Sequence, residues 1–258
     1  MNALHFSILF VSCLFPGMVL CVEIGRFLGR KSHAEDAEGT RAGVGAVEGA
    51  IFGLLGLLIA FTFSGAYSRF EARRQLIVQE ANNIGTAWLR LDLLPAAAQP
   101  ALRDLFRQYV DSRLAAYRMV PNMAAANSEL ARAARMQGDI WTQAVAACRS
   151  SEGQSSTMLL LPALNQMFDI VTDRTAAVST HTPVVIFLML GALALLGSVL
   201  AGFDMAGAKR RSWFHILGFA FIMSLTVYVI LDLEFPRMGL IRVDYVDQLL
   251  VDLRQSMK

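Results

Sequence analysis

Residues 43–76 read GVGAVEGAIFGLLGLLIAFTFSGAYSRFEARRQL. Between Val44 and Tyr67 the only charged side chain is Glu48, close to the start. A helix rises about 1.5 Å per residue and the hydrocarbon layer is roughly 30 Å deep, so about 20 apolar residues cross it. This stretch is long enough. It then turns basic at Arg69, Arg73 and Arg74, with Glu71 and Glu80 nearby. The first part reads as a membrane span and the second as its emergence into water.

Three other stretches have the same length and character. They run from about Leu4 to Val22, from Pro183 to Phe203 and from Trp213 to Leu231. Trp213 and Tyr228 mark the ends of the last one, where amphipathic aromatics sit at headgroup level. The composition agrees: 55% of the 258 residues are hydrophobic and only 17% charged, against about 25% charged in soluble chains. Mean hydropathy is +0.47. Such a balance excludes a disordered chain and a disulfide scaffold. The net charge of +2, from 23 Lys and Arg against 21 Asp and Glu, supplies no field to hold a polyanion, so no nucleic-acid partner is expected. The first span has no basic residue before it, and Arg26, Arg30 and Lys31 follow it. It therefore reads as a retained anchor rather than a cleaved signal.

Between the second and third spans lie over a hundred residues with helical period. Leu102, Leu105, Phe106, Tyr109, Val110 and Leu114 form one apolar stripe at spacings that fit a helix face. Pro95 and Pro100 bracket the turn before it and Pro121 follows it. A second helix is expected from about Ser128 to Cys148, capped by Asn127 or Ser128. Ser150–Ser156 (SSEGQSS) reads as a polar loop, Thr157–Thr182 as a helix, and Val243–Met257 as a docking helix with Val246, Leu249, Leu250 and Leu253 on one face. No useful strand alternation occurs. The class is all-α: a four-span protein with a helical extramembrane insertion, divided as 1–68, 69–182, 183–231 and 232–258.

Four spans put both termini and the insertion on one side. The short loops hold seven basic residues near the membrane (Arg26, Arg30, Lys31, Arg41, Lys209, Arg210, Arg211). The other side holds six (Arg69, Arg73, Arg74, Arg174, Arg237, Arg242). The positive-inside rule then places the short loops in the cytoplasm, by the narrowest margin.

Chemistry-bearing motifs are few. Cys13, Cys21 and Cys148 are scattered, as are His5, His33, His181 and His215. No metal spacing, phosphate loop or nucleophile–base pair appears, so neither a cofactor, a metal nor an enzyme is expected. The second span is the informative element. Gly45, Gly49 and Gly53 recur every four residues, with Gly56 close by. Such spacing serves close helix packing, either within one subunit or between subunits of a ring. Gly53, Leu57 and Phe61 share one helical face, where apolar rings can gate a pore by dewetting. Glu48 inside a span faces a partner or water, or snorkels to the interface. Arg69 and Arg73, one turn apart, repel unless a carboxylate or a permeant anion sits between them. With Glu48 they are candidate pore-mouth or anion-contact residues, the other reading being interface anchoring and pairing with Glu71 or Asp residues of the insertion.

Several motifs carry a resemblance. Residues 66–76, AYSRFEARRQL, are similar to the bestrophin signature A-Y-x-R-W-W-E-x-R-K-L, with Phe70 in place of a tryptophan pair. Asp232-Leu233-Glu234-Phe235-Pro236 is similar to the acidic turn that bestrophins carry after the fourth span. Arg174 followed by His181-Thr182-Pro183 resembles their approach to the third. Glu80–Arg90 (EANNIGTAWLR), Asn165–Asp169 (NQMFD) and Leu231–Val243 (LDLEFPRMGLIRV) look like the bacterial bestrophin-like family. The resemblance implies a homopentamer in the bacterial inner membrane, its second span lining an axial pore through which inorganic anions such as chloride pass. Its partners would be its own copies, the lipid bilayer and the ions. By position Phe61 would be a constriction with Leu57 one turn away, and Gly53 would stand at a third position where it cannot form an apolar ring. Bestrophins keep the insertion in the cytoplasm, opposite to the charge count. An oligomeric membrane scaffold or signalling module is the other reading.

Overall fold

The computed structural model describes residues 3–35, 41–120, 122–150, 156–208 and 211–258. Pro121, most of the SSEGQSS loop, and Lys209 and Arg210 of the short-loop charge count lie outside these residues. Among the described residues eight α-helices follow in order: α1 Ala3–Glu35, α2 Arg41–Arg90, α3 Gln99–Arg118, α4 Met123–Cys148, α5 Thr157–Ser179, α6 Val184–Asp204, α7 Trp213–Glu234 and α8 Gln248–Ser256. Among the described residues there is no strand, and four helical stretches are long and apolar enough to cross a membrane. The chain divides into two compact units, 1–69 with 181–235 and 70–180 with 236–258.

The first unit is the apolar one. α1 packs along both α6 and α7. The tightest seam lies between α1 and α6, where a Cβ on Gly25 would stand 1.9 Å from the Val199 carbonyl oxygen and one on Gly202 would stand 2.0 Å from that of Val22. Those glycines let backbone touch backbone, the geometry that association in lipid rewards. The small residues of α2 do something else. A Cβ added at Gly45, Gly49, Gly53 or Gly56 meets nothing within 4 Å, so these positions form no seam within the chain. α2 instead turns Leu55 and Thr62 inward, and Phe52 and Leu55 reach Gly197 of α6. α6 starts behind Pro183, which has no N–H to lose at a helix start.

The second unit is built as an ordinary soluble helical core. Leu102, Phe106, Tyr109, Val110 and Leu114 of α3 are all buried, against Ile84 and Leu91, against Ile140 and Ala144 of α4, and against Leu160, Leu164 and Met167 of α5. Each such aliphatic or aromatic side chain contributes about 1.5–3 kcal/mol on burial. Leu250 of α8 closes the same cluster.

Helix limits differ from the sequence expectation in three places. α4 begins five residues earlier, because Asn122 rather than Asn127 or Ser128 is the cap: its Oδ1 accepts from the Ala125 N–H at 3.2 Å. The docking helix is shorter, with a 3-10 turn over Asp244–Asp247 preceding α8. α2 does not stop where its apolar run ends and continues to Arg90, for a total length of 50 residues.

Candidate functional site

The candidate site is the exposed face of α2 in the first unit. Gly53, Leu57, Phe61, Ser64 and Ser68 are all exposed, at spacings of four, four, three and four, which follow one line along a helix of 3.6 residues per turn. Phe61 is 68% exposed. The opposite line, Glu48, Leu55, Thr62 and Ala66, is buried. Thr62 satisfies its hydroxyl by donating back to the Leu58 and Ile59 carbonyls at 2.7 and 3.0 Å, so no polar group of that residue competes for the exposed line.

This division separates the residues singled out in the sequence. Gly53, Leu57 and Phe61 are brought onto one unpartnered face. Glu48 is not among them: it lies on the inward side, where its carboxyl approaches that of Asp204 at the end of α6.

Both arginines, Arg69 and Arg73, have partners within their own unit. Arg69 Nε donates to both carboxylate oxygens of Glu234, at 3.1 and 3.3 Å, and its Nη2 reaches Glu234 and the Thr182 hydroxyl. Thr182 also donates to Glu234 at 2.6 Å, and His181 Nδ1 lies 3.6 Å from the same carboxylate while its ring packs on Phe235. Glu234 is only 1% exposed. A buried carboxylate needs such a set of donors to keep its charge. Three sequence-distant motifs, AYSRF, HTP and DLEFP, thus meet in one cluster of the first unit.

Arg73, in the second unit, is buried and donates to the Ala177 and Thr180 carbonyls at 3.0 and 2.7 Å. Ala177 lies in the last turn of α5 and Thr180 caps it, where a guanidinium offsets the partial negative charge of the helix end. The carboxylate or anion expected between Arg69 and Arg73 is replaced by separate partners for each.

A larger charged centre lies deep in the second unit. Glu80 of α2 is completely buried and accepts from Arg113 of α3 at 2.7 Å and from Arg174 of α5. The Tyr117 hydroxyl donates to it at 3.1 Å. Three guanidinium groups, from Arg113, Arg174 and Arg237, lie 5.0, 4.1 and 4.9 Å from the Tyr117 ring centre. Burial pushes the Tyr117 phenol up, keeping it a neutral donor. Burial and then the nearby Arg237 pull Arg174 down to about 9, which leaves it charged at neutral pH. Residues this far apart carry no common spacing, so only the motif membership of Glu80 and Arg174 pointed toward them. Among the described residues no group of three or more His, Cys, Asp or Glu is placed to hold a metal ion.

A family model for the bestrophin-like domain matches residues 13–247. The chain belongs to the bestrophin-like family. Its fold is that of a bacterial bestrophin homolog from Klebsiella pneumoniae. A tyrosine-to-alanine variant of that protein superposes with a TM-score of 0.67 at 16% identity, covering 93% of this chain and 98% of the other. An isoleucine-to-threonine variant gives 0.67 at 14% identity over 96% and 98%. The form solved by Zn-SAD phasing gives 0.63 at 15% identity over 96% and 98%. No curated protein sequence matches this one. The bestrophin-like architecture accounts for the helix order and for the four apolar spans; identity this low carries the fold and nothing finer.

Proposed function

We propose that this protein is a multi-pass ion channel of a bacterial inner membrane, assembled as a ring of its own copies, a pentamer by family resemblance. In this reading the exposed face of α2 surrounds the axis, with Leu57 and Phe61 as apolar constrictions. One observation carries it: an apolar line through Gly53, Leu57 and Phe61 that nothing in the chain covers, on a helix whose other side is packed. Anions are the proposed cargo. With Arg69 and Arg73 engaged elsewhere, the polar groups next along the line are the hydroxyls of Ser64 and Ser68. Discrimination then comes from the ease of shedding water at an uncharged neck rather than from a ring of fixed charge. No catalytic role is proposed.

The test is planar-bilayer recording of the purified protein in a KCl gradient. The wild type is expected to conduct, with a reversal potential displaced toward chloride. Phe61→Ala is expected to raise the conductance by about tenfold, since a wetted neck removes a dewetting barrier of roughly 1.4 kcal/mol or more. Silence of both proteins would leave the oligomeric scaffold reading in its place.

A further inference from the structure

The second unit contains a cavity of about 380 Å³ between the end of α3 and the segment that follows the fourth span. It shares Tyr117 and Arg237 with the Glu80 centre and has no lining residue on the candidate pore face. Its polar wall is Arg118, Arg237, Arg242, Asp244 and Asp247, and its apolar wall includes Leu114 and Val251.

The charges of this wall do not cancel. Arg237 holds Asp247 through two bonds, at 2.7 and 2.9 Å, and Asp244 at 3.1 Å. Arg242 Nε takes the other oxygen of Asp244 at 2.7 Å. Both acids are thereby occupied. Arg118 is exposed and, among the described residues, has no ion-pair partner. Three guanidinium groups against two carboxylates leave one positive charge at the cavity. Immediately behind its Tyr117 wall, Arg113 and Arg174 share the single carboxylate of Glu80, which leaves a second.

Guanidinium forks match planar oxyanions with paired hydrogen bonds, and a partly closed site strengthens each such bond. A volume of about 380 Å³ lies at the small end of ligand pockets. We propose that this cavity binds a small organic carboxylate, a mono- or dicarboxylate of metabolite size, through Arg118 and Arg242 at its lip. Arg237, already paired, shapes the floor. Leu114 and Val251 accommodate the short apolar body between or beside the carboxyl groups. The ligand brings the negative charge that the wall lacks.

Titration calorimetry on the full-length protein, in detergent and at low ionic strength, tests this with succinate as the probe and neutral succinamide as the control. Succinate is expected to half-saturate below about 1 mM, and succinamide to give no saturable signal. Arg118→Gln combined with Arg242→Gln is expected to weaken succinate by about tenfold or more. Both positions are outside the buried core, so the fold is retained, and an unchanged melting profile verifies it. Arg132→Gln, an exposed change on α4, is expected to leave binding as it is. Absence of saturable succinate binding up to about 20 mM, roughly twenty times the expected half-saturation, overturns the proposal. So does equal binding of succinamide, or binding retained in the double variant. None of these outcomes depends on whether the protein conducts.

Discussion

Glu80→Gln is expected to destabilise the second unit by about 3–5 kcal/mol, the cost of leaving buried cations without their counter-charge. Glu80 is entirely buried, and Arg113 and Arg174 both converge on it from other helices. An amide is nearly the same size and accepts a hydrogen bond through one oxygen, so the packing survives while the charge does not. Two guanidinium groups would then remain out of water with no carboxylate between them. Tyr117→Phe, which removes one neutral donor, is expected to cost only about 1 kcal/mol. Trp88 lies in the core of this unit and Trp141 packs against it, so their fluorescence during urea unfolding reads the change. A loss below about 1 kcal/mol for Glu80→Gln would show that the arginines find other partners and that the centre is not what holds α2, α3 and α5 together.

Gly202→Val and Gly25→Val are expected to be comparably severe in the first unit. The added Cβ would fall 2.0 Å from the Val22 carbonyl oxygen in one case and 1.9 Å from that of Val199 in the other. Ordinary carbon–oxygen contact needs well over an ångström more. The obstruction is backbone on both sides, so α1 and α6 must part along their length rather than shift one side chain. The expected cost is about 3–5 kcal/mol, at the upper end for overpacking. It would show as loss of the monodisperse species in size-exclusion chromatography after mild heating. Gly45→Ala and Gly49→Ala serve as the contrast, because a Cβ there meets open space within the chain. Equal damage from all four substitutions would mean that the α1–α6 seam has no special role.

The sequence was legible where one physical rule dominates. Apolar length set the four spans, and helical period set the α3 stripe from Leu102 to Leu114, every named member of which is buried or partly buried. The family resemblance, carried by motifs such as Glu80–Arg90, likewise agrees with the matched domain over residues 13–247. What the sequence left open depends on which way a residue faces. Glu48 and Phe61 sit in the same apolar run, and nothing in composition says that one turns inward and the other out; the angle between them around α2 decides it. The glycine spacing on α2 pointed to a seam, but spacing does not tell packing within a chain from an open face, whereas the true seam uses Gly25 and Gly202, separated by most of the chain. Arg69 and Arg73 looked like one pair of repelling charges. Each found its partner over a hundred residues away, Glu234 for one and the end of α5 for the other, and long-range pairing of this kind leaves no local trace.

The central claim is that the exposed line of α2 faces an ion path. After the native Cys13, Cys21 and Cys148 are replaced by alanine, a single cysteine is placed at Ser64, on the exposed line, or at Thr62, on the buried one. A charged thiol reagent is then added during bilayer recording. The account predicts that current through Ser64→Cys changes on modification and that current through Thr62→Cys does not. A response at Thr62 with none at Ser64 would contradict it.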